Sequence, residues 1–405
     1  MAMQFAKHFG GTTFLCMILL GGVGARTTAA QEPEQNRQRA PEKVPETPAW
    51  HVTEQQLSVT DVGTTEVGRL QGVSYRIDVP KGWKHAGLLV YYHGYSAEEG
   101  KYSVSEKLGP LQAEAFRHGF AVVQSQFSVT GWALEHAVVE TEALRKYFRE
   151  KFGEPSESIV SGHSMGGALT LKTIEQSPKL YNGALAMCGP LVPTYDFMQM
   201  RVAQLAAFEY YFPGILPKVS AVPEDYRQTP ELIAKLRAAV EANPKAQAAM
   251  TALSQVRGAD DLARKAAYAA YIVKDFQQKA GGQPFDNRNL VYVGTEDDAA
   301  LNRGVERYAG DPAAAQYLMQ FFTPTGNLQR PLLEVHTIYD RLIPASTDEW
   351  YSNQVLRQGH EDNFALQYVE ESGHCAFTAQ QQAAAFDELL GWLHGGKRPA
   401  SGLMP

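Results

Sequence analysis

Three cysteines in 405 residues are too few for a disulfide-dense scaffold or a cysteine-rich zinc protein. Basic charge is also scarce. The formal net charge is −7, which removes the global footprint expected of a nucleic-acid binder. No apolar run approaches the roughly 20 residues that span a bilayer, so stable membrane insertion is not expected. The chain has no visible internal repeat, phosphate loop, dinucleotide fingerprint or H-E-x-x-H zinc pair. It therefore calls for no cofactor and no metal, and its expected partner is a small molecule. The oligomeric state is left open. What is present is ordinary: 44% hydrophobic and 20% charged residues, enough for a large core. At roughly 150 residues per domain, the length allows up to about three domains or one large α/β domain with an insertion.

Residues 1–30 hold no acid. Lys7 and His8 precede the apolar run Phe14 to Leu20, and small residues follow up to Ala30. This is the order of a secretory signal peptide, with cleavage after Ala25 or Ala30. The protein is expected to be exported, periplasmic or extracellular. Residues 31–50, rich in Gln, Glu, Pro and Arg, read as a disordered leader. The end from Gly395 is expected to fray.

Between these ends strands and helices alternate. Gly72 to Pro80 alternates as a half-exposed strand, and Ala86 to Tyr92 is a continuous apolar run, as in a strand buried on both faces. A helix over 103–118, a strand over 120–125, a helix over 133–152 and a strand over 158–161 follow. A helix over 165–176 and a strand ending at Cys188 come next. After a long interruption come strand 332–336, helix 345–358, strand 364–369 and helix 379–394. The pattern predicts a mostly parallel central sheet flanked by helices. Gly162-His-Ser-Met-Gly166 sits between a strand and a helix. G-x-S-x-G in that context is a sharp turn that thrusts the serine out of the sheet top. Ser164 is the candidate nucleophile.

With His93-Gly94, Asp340 to Pro344 and Gly373-His374, this turn resembles the α/β-hydrolase superfamily. Gly131-Trp132, Met187 to Gly189, Pro324 to Gly326 and Gly373 to Phe377 resemble, more narrowly, a group of exported bacterial esterase-like hydrolases. Serine is a weak nucleophile alone and needs a base and an orienting acid. The family order of serine, acid, histidine implies His374 as base and Asp340 as acid, with Asp196 as the alternative acid. It implies an oxyanion hole from the backbone N–H groups of Met165 and Tyr95, with Ser96 as the second choice for the latter. Trp132 and His163 are candidate pocket residues, although packing is the simpler role for His163.

After export two cysteines would remain. Cys375 follows the base, and Cys188 ends the strand beside the nucleophile strand. A disulfide pinning the histidine loop is favoured over two buried thiols. Tannases and some feruloyl esterases tether their histidine in this way, but there the partner cysteine adjoins the serine, and here residue 163 is histidine. Residues 194–329 read as a mainly helical cap, inserted between the strand ending at Cys188 and the strand before Asp340. Residues 51–193 and 330–405 then form the catalytic domain. The aromatic residues of the first cap helix read as packing, and the acidic cluster Glu296 to Asp298 as a solvated turn.

These readings converge on a serine esterase acting through an acyl-enzyme, on esters of modest size, with an aromatic acid or alcohol among the options. A peptidase or amidase of the prolyl-oligopeptidase type, using the same triad, is the competing class. A non-catalytic protein on this fold is a third, and the complete set of residues argues against it.

Overall fold

The computed structural model describes residues 50–404. The expected signal at 1–30 and all but the last residue of the expected leader at 31–50 lie outside the described residues. Among the described residues ten strands form one sheet: β1 (Val52–Val59), β2 (Gly63–Leu70), β3 (Val73–Pro80), β4 (Gly87–Tyr92), β5 (Ala121–Ser125), β6 (Glu157–His163), β7 (Gly183–Met187), β8 (Leu332–Tyr339), β9 (Phe364–Ser372) and β10 (Gly402–Leu403). Their spatial order is β1-β2-β3-β5-β4-β6-β7-β8-β9-β10. The pairs β1–β2, β2–β3 and β3–β5 are antiparallel, and every later pair is parallel. This is the mostly parallel α/β-hydrolase sheet.

The helices are α1 (Pro110–Arg117), α2 (Ala137–Phe152), α3 (Met165–Gln176), α4 (Thr194–Tyr211), α5 (Pro230–Glu241), α6 (Pro244–Ser254), α7 (Ala259–Ala280), α8 (Asp298–Gly304), α9 (Pro312–Phe321), α10 (Asp348–Gln358) and α11 (Ala379–Leu393). Two apolar layers sandwich the sheet. Leu88, Val90 and Tyr92 of β4 pack with Leu144 and Phe148 of α2 and Leu169 and Ile174 of α3. Leu89 and Tyr91 face the other way, toward Leu111 of α1 and Phe386 and Leu389 of α11. Both faces of β4 are therefore buried, which is why the strand reads as an unbroken apolar run.

Helices α4 to α9 lie between β7 and β8 in the chain and build a further core around Phe197, Phe208, Leu236 and Phe276. Phe197, Met198, Phe208 and Phe212 are buried in it. Tyr95, Trp132, Leu342 and Trp350, which come from outside these helices, pack against the same core.

Several elements depart from the sequence reading. β1 and β2 were not expected, because β1 is exposed from Glu54 to Leu57 and its pattern carries no alternation. Helix α1 begins only at Pro110, where a proline can sit in the first turn. Asp297 and Asp298 do not form a bare turn: Asp297 caps α8 by accepting from the Ala300 N–H, and Asp298 accepts from Thr295. The chain end does not fray as expected. Arg398 donates to the Phe364 carbonyl at 2.7 Å and β10 pairs with β9.

One carboxylate ties α3, the helix that follows Ser164, to the segment that returns to the sheet. Glu175 of α3 accepts from the N–H groups of Thr325 and Gly326 and from the Tyr351 hydroxyl. Tyr351 is fully buried. Glu175→Ala strands these donors and is expected to cost about 1–3 kcal/mol in chemical denaturation. A change below about 0.5 kcal/mol would show that water satisfies them instead.

Candidate active site

Ser164 joins β6 to α3 with φ 58 and ψ −122, a conformation rare for an L-residue. Close backbone approach on both sides makes the turn possible. A Cβ at Gly162 would lie 2.5 Å from the Gly166 carbonyl oxygen, and one at Gly166 would lie 2.2 Å from that of Tyr92. Glycine is the residue that fits at both positions. The Ser164 N–H donates to the Met187 carbonyl at 2.9 Å, which locks the turn to the end of β7.

The structure brings Ser164, His374 and Asp340 into one hydrogen-bonded line. His374 Nε2 lies 2.8 Å from Ser164 Oγ, and His374 Nδ1 lies 2.6 Å from Asp340 Oδ2. Asp340 Oδ1 accepts from the N–H groups of Leu342 and Ile343 at 2.7 and 3.1 Å. Burial alone would raise the Asp340 pKa. The His374 hydrogen bond and charge, the Ile343 N–H and His336 outweigh it and hold the carboxyl below its ordinary value. Asp196, the alternative acid, sits in the first turn of α4.

Met165 is the first residue of α3, so its N–H is one of the helix donors without an intrahelical acceptor. The β4 loop approaches from the other side. A Cβ on Gly94 would lie 3.2 Å from Ser164 Cβ, so the chain beside Tyr95 packs on Ser164. The Tyr95 ring packs edge-on against Tyr268 and Tyr271 of α7, at centroid distances of 6.2 and 6.3 Å. Ser96, the second choice, accepts from the Gly131 N–H at 2.6 Å. His93 stacks on Phe127 at 4.1 Å and braces the loop.

The two pocket candidates are placed differently. The Trp132 ring lies 5.6 Å from that of Phe276, and its backbone N–H donates to Asp275 at 2.8 Å. It lines a small hollow with Tyr317 and Phe321. Its neighbour Ala133 reaches the Met165 sulfur at 3.4 Å. His163 turns to the α11 side of the sheet. Its Nδ1 lies 3.0 Å from the Tyr91 hydroxyl and its ring 6.1 Å from that of Phe377. Burial pushes its pKa down to about 4, with Gln382 opposing and His374 adding. The ring is thus neutral at ordinary pH and packs.

Cys188 and Cys375 form a disulfide, with their Cα atoms 5.4 Å apart. It joins the end of β7 to the residue after His374. The loop is held elsewhere too: Gly373 N–H donates to the Tyr339 carbonyl at 2.8 Å, and Thr337 Oγ1 to the Gly373 carbonyl at 2.9 Å.

The burial of two carboxyl groups near Asp340, those of Glu334 and Asp348, escaped the sequence reading, and His336 of β8 is buried with them. Glu334, His336 and Asp348 are all fully buried. Glu334 accepts from the Gly189 N–H at 3.2 Å, and His336 Nε2 lies 3.9 Å from Asp348. Burial, then the Asp348 charge, raises the Glu334 pKa well above its ordinary value. Burial also raises that of Asp348, against hydrogen bonds from Leu191 and Thr347. Burial lowers that of His336. The only sequence signal was a charged residue inside an otherwise apolar strand, Leu332 to Val335.

Comparison with known proteins places these residues in context. A family described as a tannase-like family of unknown function matches residues 71–279. That range holds the β4 loop, the Ser164 turn and α7, and ends before Asp340. An o-phthalyl amidase of Xanthobacter agilis is 31% identical over 93 residues, 22% of this chain. The match spans 20% of that amidase. Among solved structures, feruloyl esterase B from Aspergillus oryzae superposes with a TM-score of 0.47 at 14% identity, covering 88% of this chain and 89% of that one. The rice cell wall degrading esterase LipA from Xanthomonas oryzae gives 0.42 at 13%, covering 85% and 95%. The fold assignment rests on the strand order.

The buried acids generate a test of the site's electrostatics. A carboxyl whose folded pKa is raised keeps a proton that the unfolded chain releases. Its contribution to stability is present below the ordinary value of 4.5 and is lost as pH rises toward the folded value. Glu334→Gln keeps the acceptor for Gly189 and removes this titration. Its melting temperature relative to the wild type should therefore rise as pH increases above the ordinary value of 4.5 toward the folded value. A difference independent of pH would show that Glu334 does not titrate in this way.

Proposed function

The chain belongs to this tannase-like family, and on that premise we propose that it is an exported serine hydrolase cleaving carboxylic esters through an acyl-enzyme. One observation carries the reading: the line Asp340–His374–Ser164, with contacts of 2.6 and 2.8 Å. In this scheme His374 Nε2 takes the Ser164 proton as Oγ attacks the ester carbonyl. Asp340 holds the imidazole in the tautomer with Nδ1 protonated and stabilises the cation that forms. The N–H groups of Met165 and Tyr95 receive the oxyanion. His374 then protonates the departing alcohol as the C–O bond breaks. Water loses a proton to His374 as it attacks the acyl carbon, and collapse frees the acid and restores Ser164.

Support for export comes from the signal-like pattern of residues 1–30 and from the Cys188–Cys375 bond, which persists best in an oxidising compartment. Among the described residues, no helix is long and apolar enough to cross a membrane. The substrate is a small ester, with aromatic acids or alcohols as the first class to try. The amide reading is kept by one observation, the partial match to an amidase, because the same triad serves both bonds.

The test is a panel of acetyl, butyryl, long-chain, feruloyl and galloyl esters with a matched anilide. Wild type and Ser164→Ala are run side by side. Ser164→Ala and His374→Ala are expected to lose about 10³-fold or more in kcat, and Asp340→Asn to be severely impaired through the wrong tautomer. Wild-type rates in Ser164→Ala would sink the mechanism. Faster turnover of the anilide than of its ester would move the protein to the amidase class.

A further inference from the structure

Helix α7 meets the loops around Ser164 with one row of side chains. Tyr268, Tyr271 and Asp275 recur at the spacing of a single helix face. Tyr268 and Tyr271 pack against the Tyr95 ring. Asp275 takes the neighbouring turn. Its Oδ2 accepts from the Trp132 N–H at 2.8 Å, and its Oδ1 lies 3.0 Å from Nζ of Lys279, one helical turn further on. Lys279 Nζ also donates to the Thr130 carbonyl at 2.8 Å. The two ends of one ion pair thus grip the backbone on both sides of Gly131. Glycine is what this grip requires: φ there is +76, and a Cβ would lie 2.4 Å from Asp275 Oδ1.

The gripped turn reaches both sides of the nucleophile. The Gly131 N–H donates to the Ser96 carbonyl at 2.6 Å, which fixes the chain directly after Tyr95. Ala133, two residues on, reaches the Met165 sulfur with its N–H at 3.4 Å. Residues 131–133 therefore run between the two residues whose N–H groups receive the oxyanion in the proposed mechanism. The Asp275 and Lys279 side chains are only 14% and 21% exposed, so salt and water screen the pair little. Bonds from such charges to backbone groups are roughly twice as strong as neutral ones. Asp275 is felt at Tyr95 as well: burial raises the tyrosine pKa, and the Asp275 charge adds the most after burial.

We infer that Asp275 and Lys279 are positioning residues of the oxyanion hole, holding the turn at 130–133 that sets the separation of the Tyr95 and Met165 N–H groups. Neither side chain touches the reacting atoms. The segment inserted between β7 and β8 then belongs to the catalytic machinery. An oxyanion hole works because its donors stand fixed where charge develops, so losing the grip weakens transition-state binding and leaves ground-state binding in place. The inference rests on the esterase reading for the oxyanion, and on the Asp275 and Lys279 contacts for its positioning.

The test compares two ketones as inhibitors of the full chain. Ser164 Oγ adds to the carbonyl carbon of trifluoroacetophenone, its proton passes to His374 Nε2, and the carbonyl oxygen becomes an anion in the oxyanion hole. Acetophenone stays a ketone and reports ground-state binding. The wild type should bind the trifluoro compound more tightly, and Asp275→Ala should lower that preference about 10- to 100-fold. The kcat/KM for 4-nitrophenyl acetate should fall in parallel. Asp275→Asn keeps an acceptor for the Trp132 N–H and should restore part of the preference. Lys279→Met leaves Asp275 in place, should lower the preference in the same direction, and carries the test alone where Asp275→Ala does not fold. An unchanged preference in folded variants, or an equal loss of affinity for both ketones, would make the ion pair a structural brace and overturn the proposal. A wild type that binds the two ketones equally would sink the esterase reading itself, and the inference with it.

Discussion

The arrangement depends on the backbone of one residue. Ser164 holds a positive φ between a strand and a helix, and the chain can take that path only if its neighbours come within backbone contact. Gly166 lies under the end of β4, and Gly167 meets Gly189 just beyond β7, where an added Cβ would lie 2.7 Å from the Gly189 Cα. Three adjacent parallel strands are thereby drawn to one point. The β4 loop reaches Ser164 because nothing larger than hydrogen stands between them. The end of β7 does the same through the Met187 carbonyl.

Around that point the carboxyl groups divide by the donors they are given. Asp340 receives two backbone N–H groups and an imidazole, and it ionises more readily than a free carboxyl despite burial. Glu334 sits nearby with one donor at 3.2 Å, and burial wins. Asp348 follows Glu334 even though Leu191 and Thr347 favour its charge. The cations follow the same logic on the other side. Burial draws Arg201 down to about 10, with the charges of Tyr268 and Asp340 opposing.

Legibility followed locality. The Ser164 turn is written in five consecutive residues, and His374 and Asp340 each follow a strand of strong apolar pattern, so all three could be named from the sequence. The prolines at 230, 244 and 312 begin α5, α6 and α9, where a missing N–H costs nothing. β1 gave no signal because Glu54 to Leu57 are exposed and do not alternate, and β2 because Gly63, Gly68 and its polar residues break any apolar pattern. Glu334, Asp348 and Arg201 were missed for another reason: burial of a charged residue is a property of what packs on it, and their neighbours come from distant segments. Arg201 offered the faintest signal, a lone basic residue in an aromatic-rich helix. The disulfide was half legible: the flanking position of Cys375 could be read, while the 5.4 Å separation of the Cα atoms could not.

The Cys188–Cys375 bond has a consequence for the integrity of the chain. The two cysteines are 187 residues apart in sequence, and they enclose helices α4 to α10, strands β8 and β9, and both Asp340 and His374. The helical segment is thus a covalent ring closed at the base of the site. A protease that nicks one of its exposed turns severs the backbone without releasing either piece. Ser164 and His374 stay joined through sulfur, by the chain from Ser164 to Cys188 and the disulfide to Cys375, which adjoins His374. The site would stay assembled after such a cut.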